Sequence, residues 1–270
     1  MARRRLVVRV SNWIVDANEN RIHRSAIVDP STVLGRANSI GPLSVVGGLG
    51  CRVIIGNETS IGAGCIIGSP AEFATGYPGK AHLNFEEFSE SKAGSVFGIQ
   101  IGSRTIIRDA VRIHAGRSLD TTIGDLNYLH SGTHIDHDVQ TGIGVVFAPG
   151  VLSSGDVSYG AFCQVGLGTS IHQKTSIGAL SMIGMNSAVK GTVPPLSMHF
   201  GIPSRLRGAN RVRLQRLGMS ADDISELDNL FRTCSVDEVA QLWDFNKKVV
   251  ELVRQSVHLA HSAWTGQWLD

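Results

Sequence analysis

The chain repeats with a period of six residues from position 123 to position 193. Nearly every lead position is aliphatic or aromatic, and the place four residues later is small or β-branched. The lead residues are Ile123, Leu129, Ile135, Thr141, Phe147, Ser153, Tyr159, Val165, Ile171, Ile177, Ile183 and Val189. The residues four places later are Asn127, Thr133, Val139, Val145, Val151, Val157, Cys163, Thr169, Thr175, Ser181, Ser187 and Val193. Because this period matches neither an α-helix nor one extended strand, it indicates short strands joined at regular corners.

Three such sides close one triangular coil of eighteen residues, so that residues eighteen apart stack as parallel strands. The lead residue and the small residue then point inward, and glycine serves corners where a Cβ would be strained. The pattern predicts an all-β left-handed parallel β-helix, which is an exception to the usual right-handed crossover. The 31 glycines and the 6% aromatic content are in keeping with a fold that turns often around small side chains.

The domain organisation follows from where the repeat is interrupted. Earlier repeats begin at Ile22, Val28, Leu34, Ile40, Val46, Ile55, Ile61, Ile67, Ile101, Ile107 and Ile113. We predict an N-terminal extension at 1–20, a β-helix over 21–195 and a C-terminal α-helical region over 196–270. The β-helix contains an inserted loop at 69–98 and a shorter bulge at 115–122. Long loops on a rigid scaffold often carry function, although a disordered insert remains the alternative for the first.

The end of the β-helix is predicted at Val193-Pro194-Pro195, since proline cannot donate a hydrogen bond to a further coil. Two pairs beyond it, Ser220 with Asp223 and Ser235 with Glu238, have the spacing of capping boxes. They predict two helices, roughly over residues 221–233 and 236–261.

Composition excludes several classes of protein. The net charge of +2 is too small to indicate a nucleic-acid partner, and no apolar run is long enough for a transmembrane segment. The N-terminal apolar run is broken by Arg9, Ser11 and Asn12, unlike a signal peptide. Because the cysteines form no CxxC pair, we expect free thiols in a cytoplasmic protein. The cysteines are Cys51, Cys65, Cys163 and Cys234.

The densest group of chemically useful side chains runs from His134 to Asp138. His137 falls two places after the inward-pointing Ile135, so the register puts it on the outer surface beside carboxylates. A histidine in that setting can act as a general base near neutral pH, whereas the alternative is an ordinary surface histidine.

The stacking rule brings a second group to His137. Gly155 lies eighteen residues further on, and its N–H could stabilise an oxyanion next to a base, as acyl transfer requires. His114 stacks with Asp136 if the 115–122 bulge is looped out, and Gln173 stacks beyond Gly155. These polar groups therefore line one strip of the β-helix, for which a purely structural role is the alternative.

Two further patterns suggest a metal site and an anion site. His130, His134 and His137 are close enough in sequence to suggest zinc, but the first two belong to a different side of the coil, so we predict no metal. A run of arginines follows Pro203 and is either a solvated face or an anchor for phosphates or an acidic carrier protein. The run comprises Arg205, Arg207, Arg211, Arg213 and Arg216.

Over about residues 20–245 the sequence resembles the acyl-carrier-protein-dependent UDP-N-acetylglucosamine O-acyltransferases that begin lipid A synthesis. The segments that carry the resemblance are His134-Ile-Asp-His-Asp138, Gly155-Asp156-Val157, Ile171-His172-Gln173, Val193-Pro194-Pro195 and the Arg216/Gly218 helix entry. The resemblance implies a catalytic base at His137, a supporting carboxylate at Asp138 and an oxyanion donor at Gly155.

The resemblance also implies substrate contacts. They fall on His114, His134, His172, Gln173, Asn210 and Arg216, the last two near the nucleotide and diphosphate, and on Met185 as a bulky acyl-chain ruler that favours shorter chains. Asp156 stands where the family usually has a histidine that contacts the acceptor sugar. The long 69–98 loop, the short 115–122 bulge and the extra N-terminal arm are further departures. They leave a different amino-sugar or natural-product acceptor open.

The sequence therefore predicts an acyltransferase that moves a fatty acyl group from an acyl-carrier-protein thioester to a hydroxyl or amine of a nucleotide sugar such as UDP-N-acetylglucosamine. Acyl-phosphopantetheine is the donor substrate, no bound cofactor is expected, and coenzyme A remains open as an alternative carrier. Since flat β-helix sides give no deep pocket, a homotrimer with three clefts is expected. The alternatives of another class are a γ-type carbonic anhydrase and a non-catalytic β-helix subunit.

Overall fold

A computed structural model describes residues 12–48, 51–71, 97–233 and 245–265 of the chain. Within the β-helix, each strand pairs with the strand three places later in the chain, which lies one coil further along the axis. These pairings are parallel, whereas the pairings at the two ends of the first sheet are antiparallel. The strands thereby build three flat sheets around one axis. The predicted left-handed parallel β-helix with a C-terminal helical part is confirmed.

The strands are short because each occupies only one side of a coil. Strands β1 to β14 are Trp13–Val15, Arg21–His23, Ile27–Val28, Val33–Leu34, Ser39–Ile40, Val45–Val46, Val53–Ile55, Ser60–Ile61, Ile66–Ser69, Ile99–Ile101, Ile106–Ile107, Arg112–His114, Thr121–Ile123 and Tyr128–Leu129. Strands β15 to β27 are His134–Ile135, Gln140–Thr141, Val146–Phe147, Leu152–Ser153, Ser158–Tyr159, Gln164–Val165, Ser170–Ile171, Ser176–Ile177, Met182–Ile183, Ala188–Val189, Thr192–Val193, Ser197–Phe200 and Arg205–Ala209.

The three sheets differ in length. Sheet A has the order β1-β2-β5-β8-β11-β14-β17-β20-β23-β26-β27, sheet B runs from β3 to β24, and sheet C runs from β4 to β25. In the regular coils, residues eighteen apart pair, as Leu129 does with Phe147. Earlier coils hold extra residues at their corners, so that Val45 pairs with Ile66 and Ile107 pairs with Leu129.

The core is the column of lead residues inside the β-helix. Every lead residue from Ile123 to Val189 is buried, and so is every residue four places after one, as the repeat predicts. Burying an aliphatic side chain of this size contributes about 1.5–3 kcal/mol. The Phe147 and Tyr159 rings meet edge to face inside the column, 4.8 Å apart.

The thiols among the described residues belong to this interior. Cys51, Cys65 and Cys163 are buried and free, and burial raises the pKa of the Cys51 thiol to about 11. Cys234 lies outside the described residues.

The two ends of the β-helix depart from the simple repeat. Trp13–Val15, within the predicted N-terminal extension, pairs antiparallel with Arg21–His23. Sheet C ends at Thr192–Val193, close to the predicted stop. Sheet A instead continues through Ser197–Phe200, which turns back in an antiparallel pairing with Arg205–Ala209. Sheet C therefore ends before the prolines, whereas sheet A extends beyond them by two strands.

Three helices follow the last strand: α1 at Arg211–Arg216, α2 at Ala221–Thr233 and α3 at Phe245–Thr265. The α2 helix has the predicted bounds, and the Asp223 N–H donates to Ser220 Oγ at 3.1 Å, as its capping box requires.

The helices differ from the prediction at the end of the last helix and in the presence of α1, while the start of the last helix is untested. The predicted start of the last helix and the capping box at Ser235 lie outside the described residues, and the helix ends at Thr265 rather than 261. The α1 helix was not predicted, because it begins inside the run of arginines without a side-chain cap.

A second apolar cluster fixes the helices to the last coils. Leu180 and Leu196 from the β-helix are buried against Leu214 of α1, Phe231 of α2 and Leu252 of α3. None of the helices in the described part of the chain is long and apolar enough to cross a bilayer.

The base of the predicted insert is fastened by Asp120. Its carboxylate accepts from the Gly98 N–H at 2.6 Å, from Gln100 Nε2 at 2.6 Å and from Arg52 Nη2 at 2.8 Å. Most of the predicted insert, residues 72–96, lies outside the described residues.

The stability of this fold should depend on pH through His199. Its side chain is buried in the last coil, Nε2 has no hydrogen-bond partner among the described residues, and burial lowers the pKa to about 4. As the pH falls below about 6.5, His199 becomes protonated in the unfolded chain but stays neutral in the native protein. The free energy of unfolding therefore decreases between about pH 6.5 and pH 4. By pH 5 the loss is about 2 kcal/mol.

Urea unfolding at pH 7.5 and pH 5.0 measures this loss. The His199→Leu variant should lose less stability on acidification than the wild type, whereas the exposed-histidine control His258→Gln should behave as the wild type. Equal acid sensitivity in wild type and His199→Leu would contradict this assignment.

Candidate active site

One edge of the β-helix collects most of the predicted site residues. It is the edge at which the chain passes from sheet B to sheet C, and it is called the B/C edge below. The residues on it, at or just after the ends of β12, β15, β18 and β21, are His114, His137, Asp138, Gly155, Asp156, His172 and Gln173.

His137 and Asp138 form a buried pair. The His137 ring nitrogen Nδ1 lies 2.9 Å from Asp138 Oδ2, and the two residues are 7% and 3% exposed. Asp138 has a left-handed backbone with φ of 61°, a conformation that aspartate tolerates because its short side chain bonds locally. Asp156 and Lys174 share this conformation one and two coils further on, so it is a regular feature of this corner of the β-helix.

The 115–122 bulge holds the other oxygen of Asp138. The backbone N–H groups of Arg117, Ser118 and Leu119 donate to Asp138 Oδ1 at 2.8, 2.8 and 3.0 Å. Desolvation alone would raise the pKa of this carboxyl, but these three N–H groups and His137 outweigh it and lower the pKa below its usual value. Asp138 is therefore a fixed anion that selects the Nδ1–H tautomer of His137 and leaves Nε2 as the basic nitrogen.

Gly155 lies directly against the His137 ring. Because Ile135 pairs with Ser153, residue 155 is one coil beyond residue 137. A methyl group built on Gly155 would lie 2.5 Å from Nε2 of His137, so only glycine leaves the ring in place. The Gly155 N–H has no acceptor among the described residues, although its carbonyl accepts from Lys174 N at 3.2 Å.

Two further histidines meet beside this pair. The rings of His114 and His134 lie 4.8 Å apart, and His114 Nδ1 is 2.8 Å from the Pro70 carbonyl oxygen. His114 is buried at the end of β12, whereas His134 projects outward, half-buried, from sheet B. His114 lies on the B/C edge, and His134 is in β15, the strand that leads to it. The prediction that His134 belongs to a different side of the coil from this site is therefore wrong, because its ring contacts that of His114.

His172 and Gln173 extend the strip by one coil beyond Gly155. Both side chains are exposed, and His172 Nδ1 lies 3.0 Å from the Gln173 carbonyl. Asp156 is exposed as well, and its carboxylate lies within 4.8 Å of the ligand atoms of His137 and Asp138.

His137, Asp138 and Asp156 are thus close enough to be compared with a metal site. However, Asp138 already uses one oxygen on three N–H groups and the other on the imidazole. The nitrogen of His137 and the carboxylate of Asp156 would be left as ligands, fewer than the three protein ligands of a catalytic zinc site. His130, on sheet A beside Tyr128, does not join this group.

Three predicted substrate residues lie away from the B/C edge of the same chain. Met185 is 69% exposed at the edge between sheets A and B. Asn210 and Arg216 flank α1; Asn210 Nδ2 donates to the Leu180 carbonyl at 2.9 Å, and Arg216 borders a cavity of about 900 Å³ between α3 and sheet A. Their predicted roles therefore need a neighbouring chain.

Several arginines of the predicted anchor have structural partners. Arg211 pairs with Asp228, Arg207 lies over the Phe200 ring at 4.8 Å, and Arg213 lies over the Phe162 ring at 5.7 Å. Arg205 and Arg216 are exposed.

Sequence reasoning missed the part that the bulge plays. The sequence shows the bulge as an interruption of the repeat, but backbone N–H groups leave no signature in residue types. The available signal was the position of the bulge. Because Ile113 pairs with Ile135, the residues after Ile113 lie one coil before His137 and Asp138.

This architecture defines the class: a hexapeptide-repeat left-handed β-helix protein, with a histidine–aspartate pair against a glycine at its B/C edge. Residues 193–258 match the family described as UDP-N-acetylglucosamine O-acyltransferase, domain 2. A relative from Stenotrophomonas maltophilia, named acyl-[acyl-carrier-protein]–UDP-N-acetylglucosamine O-acyltransferase, is 31% identical over 224 residues, which cover 81% of this chain and 84% of the relative. The chain belongs to this family.

Two other comparisons describe the extent of the likeness. A relative of the same name from Burkholderia orbicola is 37% identical, but the match spans 49% of this chain and about half of that protein, 52%. The solved structure of LpxA from Acinetobacter baumannii has a TM-score of 0.57 and 28% identity, covering 86% of this chain and 89% of that one.

Replacing Asp138 with asparagine should reverse the tautomer of His137. Asparagine tolerates the left-handed backbone and its oxygen can still accept from the bulge, but its NH₂ group must then face Nδ1. The proton moves to Nε2, and the base is lost.

Side-chain ¹⁵N spectra of labelled histidine, recorded at alkaline pH, measure this change. The wild type should carry its proton on Nδ1 and the Asp138→Asn variant on Nε2. The same tautomer in both proteins would remove Asp138 from the proposed role.

Proposed function

We propose that this chain is an acyltransferase that moves a fatty acyl group from an acyl-carrier-protein thioester to a hydroxyl or amine of UDP-N-acetylglucosamine or a related nucleotide sugar. The observation that carries the proposal is the contact between the His137 ring and Gly155, with its N–H open. The names of the relatives support the substrate class.

The reaction needs only groups on the B/C edge. His137 Nε2 takes the proton of the acceptor hydroxyl or amine as the nucleophile attacks the thioester carbonyl carbon. The carbonyl electrons move to oxygen, and the Gly155 N–H donates to that oxyanion. When the tetrahedral intermediate collapses, the C–S bond breaks and the imidazolium returns the proton to the departing thiolate. Acyl-phosphopantetheine is then a substrate, and the chemistry requires no resident cofactor.

Asp138 stabilises the imidazolium that forms during the step. Because its Oδ1 is saturated by three N–H groups, it stays ionised and does not compete for the proton. The Asp138 carboxylate therefore acts as an orienting group rather than as a second base.

The active form in this proposal is a homotrimer. The B/C edge of one chain is an open surface, and Met185, Asn210 and Arg216 lie on other parts of the molecule. A threefold assembly would let the helical end of one chain cover the B/C edge of the next. Light scattering should give about three times 28.9 kDa for active protein, and an active monomer would contradict the assembly.

Asp156 favours an amino-sugar acceptor as the second candidate. Its carboxylate lies within 4.8 Å of the base, where an acceptor ammonium group would be attracted before it loses its proton. A mass-spectrometric screen of acyl-carrier-protein and coenzyme A donors against hydroxyl-bearing and amine-bearing UDP-sugars separates the candidates. The Asp156→Asn variant should lose at least tenfold more kcat/KM with an amine acceptor than with a hydroxyl acceptor if the second candidate is right.

Two substitutions test the proposed chemistry. His137→Ala removes the base and should lower kcat by about 10³-fold or more, while Gly155→Ala inserts a methyl group into the space of the imidazole and should lower kcat by about 10²-fold or more. Gly155 does not have a left-handed backbone, so alanine is tolerated by the chain and the fold should persist.

The matched control is Ser154→Ala, whose side chain is exposed next to the site and should leave kcat unchanged. Near-normal turnover by His137→Ala would refute the proposed base. Stoichiometric zinc with CO₂ hydration, or no turnover with any acyl donor, would instead identify a carbonic anhydrase or a non-catalytic subunit.

A further inference from the structure

We propose that Ser153 and Tyr159, two polar residues inside the β-helix, are positioning residues that hold and polarise the Gly155 amide. The inference rests on the proposed function and extends it from the surface of the B/C edge into the core. Both residues occupy lead positions, where the repeat otherwise places mostly aliphatic side chains, and they are 1% and 3% exposed.

The two hydroxyls form a directed chain of hydrogen bonds. Tyr159 donates its O–H to Ser153 Oγ at 2.7 Å, and Ser153 donates its own O–H to the Ser154 carbonyl oxygen at 3.3 Å. Burial raises the pKa of Tyr159 far above its usual value, so its phenol remains a donor at every working pH.

The chain of hydrogen bonds ends on the peptide unit that matters for the chemistry. The Ser154 C=O and the Gly155 N–H belong to one planar amide group. Within the described part of the chain, Ser153 Oγ is the donor to this C=O and no acceptor takes this N–H.

The inter-coil ladder holds the neighbours of this amide group but leaves the group itself out. The Ser154 N–H donates to the Ile171 carbonyl at 3.1 Å, and the Gly155 carbonyl accepts from Lys174 N at 3.2 Å. Without Ser153, rotation of the intervening amide would meet no hydrogen bond on the core side.

A hydrogen bond accepted by an amide C=O also strengthens the donor at the other end of that amide. Each further bond in a chain strengthens the next by roughly 10–30% in condensed phase. The Tyr159–Ser153 pair therefore does two things for the Gly155 N–H: it fixes its direction, and it makes it a stronger donor to an oxyanion.

The packing explains how the core accommodates the pair. Tyr159 lies edge to face with Phe147, and the small Ser153 pairs with Ile135 in the coil before and with Ile171 in the coil after. A purely structural reading says that tyrosine merely fills the volume left by serine. The two readings differ in what they predict for the hydroxyls, since the ring alone fills the volume.

The test compares Tyr159→Phe and Ser153→Ala with the wild type in acyl-transfer kinetics. Each variant should lower kcat by about three- to tenfold, with KM for both substrates and the pH profile of kcat unchanged, because the base and the binding surface are untouched. The double variant should be no slower than Ser153→Ala alone, since both hydroxyls act through one chain. Ser181→Ala is the control, because its buried hydroxyl donates to the Gly178 carbonyl at 2.7 Å on a different edge.

The outcomes distinguish a failure of this inference from a failure of the proposed function. Wild-type kcat in both Tyr159→Phe and Ser153→Ala, in a protein that depends on His137, overturns this inference and leaves the proposed function standing. A fall in kcat that Ser181→Ala reproduces, or that is matched by a rise in KM, also overturns it. A wild-type chain without acyl transfer overturns the proposed function and this inference together.

Discussion

Backbone hydrogen bonds between successive coils, such as the one from His134 N to the Val151 carbonyl at 2.9 Å, fix which residues stack along the β-helix. Each bond is worth only about 0.5–1.5 kcal/mol, but together they set one register for the whole chain. A shift by a single residue would turn every buried isoleucine outward, so the apolar column holds the register in place. That register brings His137 and Gly155, eighteen residues apart, into contact.

The site is built where the regular repeat is interrupted. The 115–122 bulge adds residues to one coil, and its three N–H groups face Asp138 instead of a neighbouring strand. The amide between Ser154 and Gly155 lies two coils after the bulge, at a corner of the β-helix. The inter-coil hydrogen bonds leave out its N–H, as they leave out the corner N–H groups of Ala161 and Ala179. The bulge therefore supplies the groups that hold the carboxylate beside the base, and the proposal assigns the N–H of a corner amide to the oxyanion.

Much of the fold could be predicted because a period of six residues has few physical solutions. Ile135 and Val139 had to point inward, and this alone put His137 on the surface.

The six-residue period could not predict α1 or the strands after Pro195. Proline ends sheet C, but sheet A continues beyond it. The bonds to Asp138 come from backbone atoms of unremarkable residues, and the chain Tyr159–Ser153–Ser154 depends on side-chain directions. Met185 lies at another edge, and Asn210 and Arg216 flank α1; the register of a single chain does not predict how a neighbouring molecule would meet them.

The central claim is geometric: the imidazole and the open amide flank one carbonyl group. A crystal structure of the protein with an acyl-phosphopantetheine analogue, in which a ketone replaces the thioester, tests it directly. The account predicts the ketone oxygen within about 3 Å of Gly155 N, with His137 Nε2 facing the space for the acceptor. An analogue bound in order elsewhere, with its ketone remote from both groups, would contradict it.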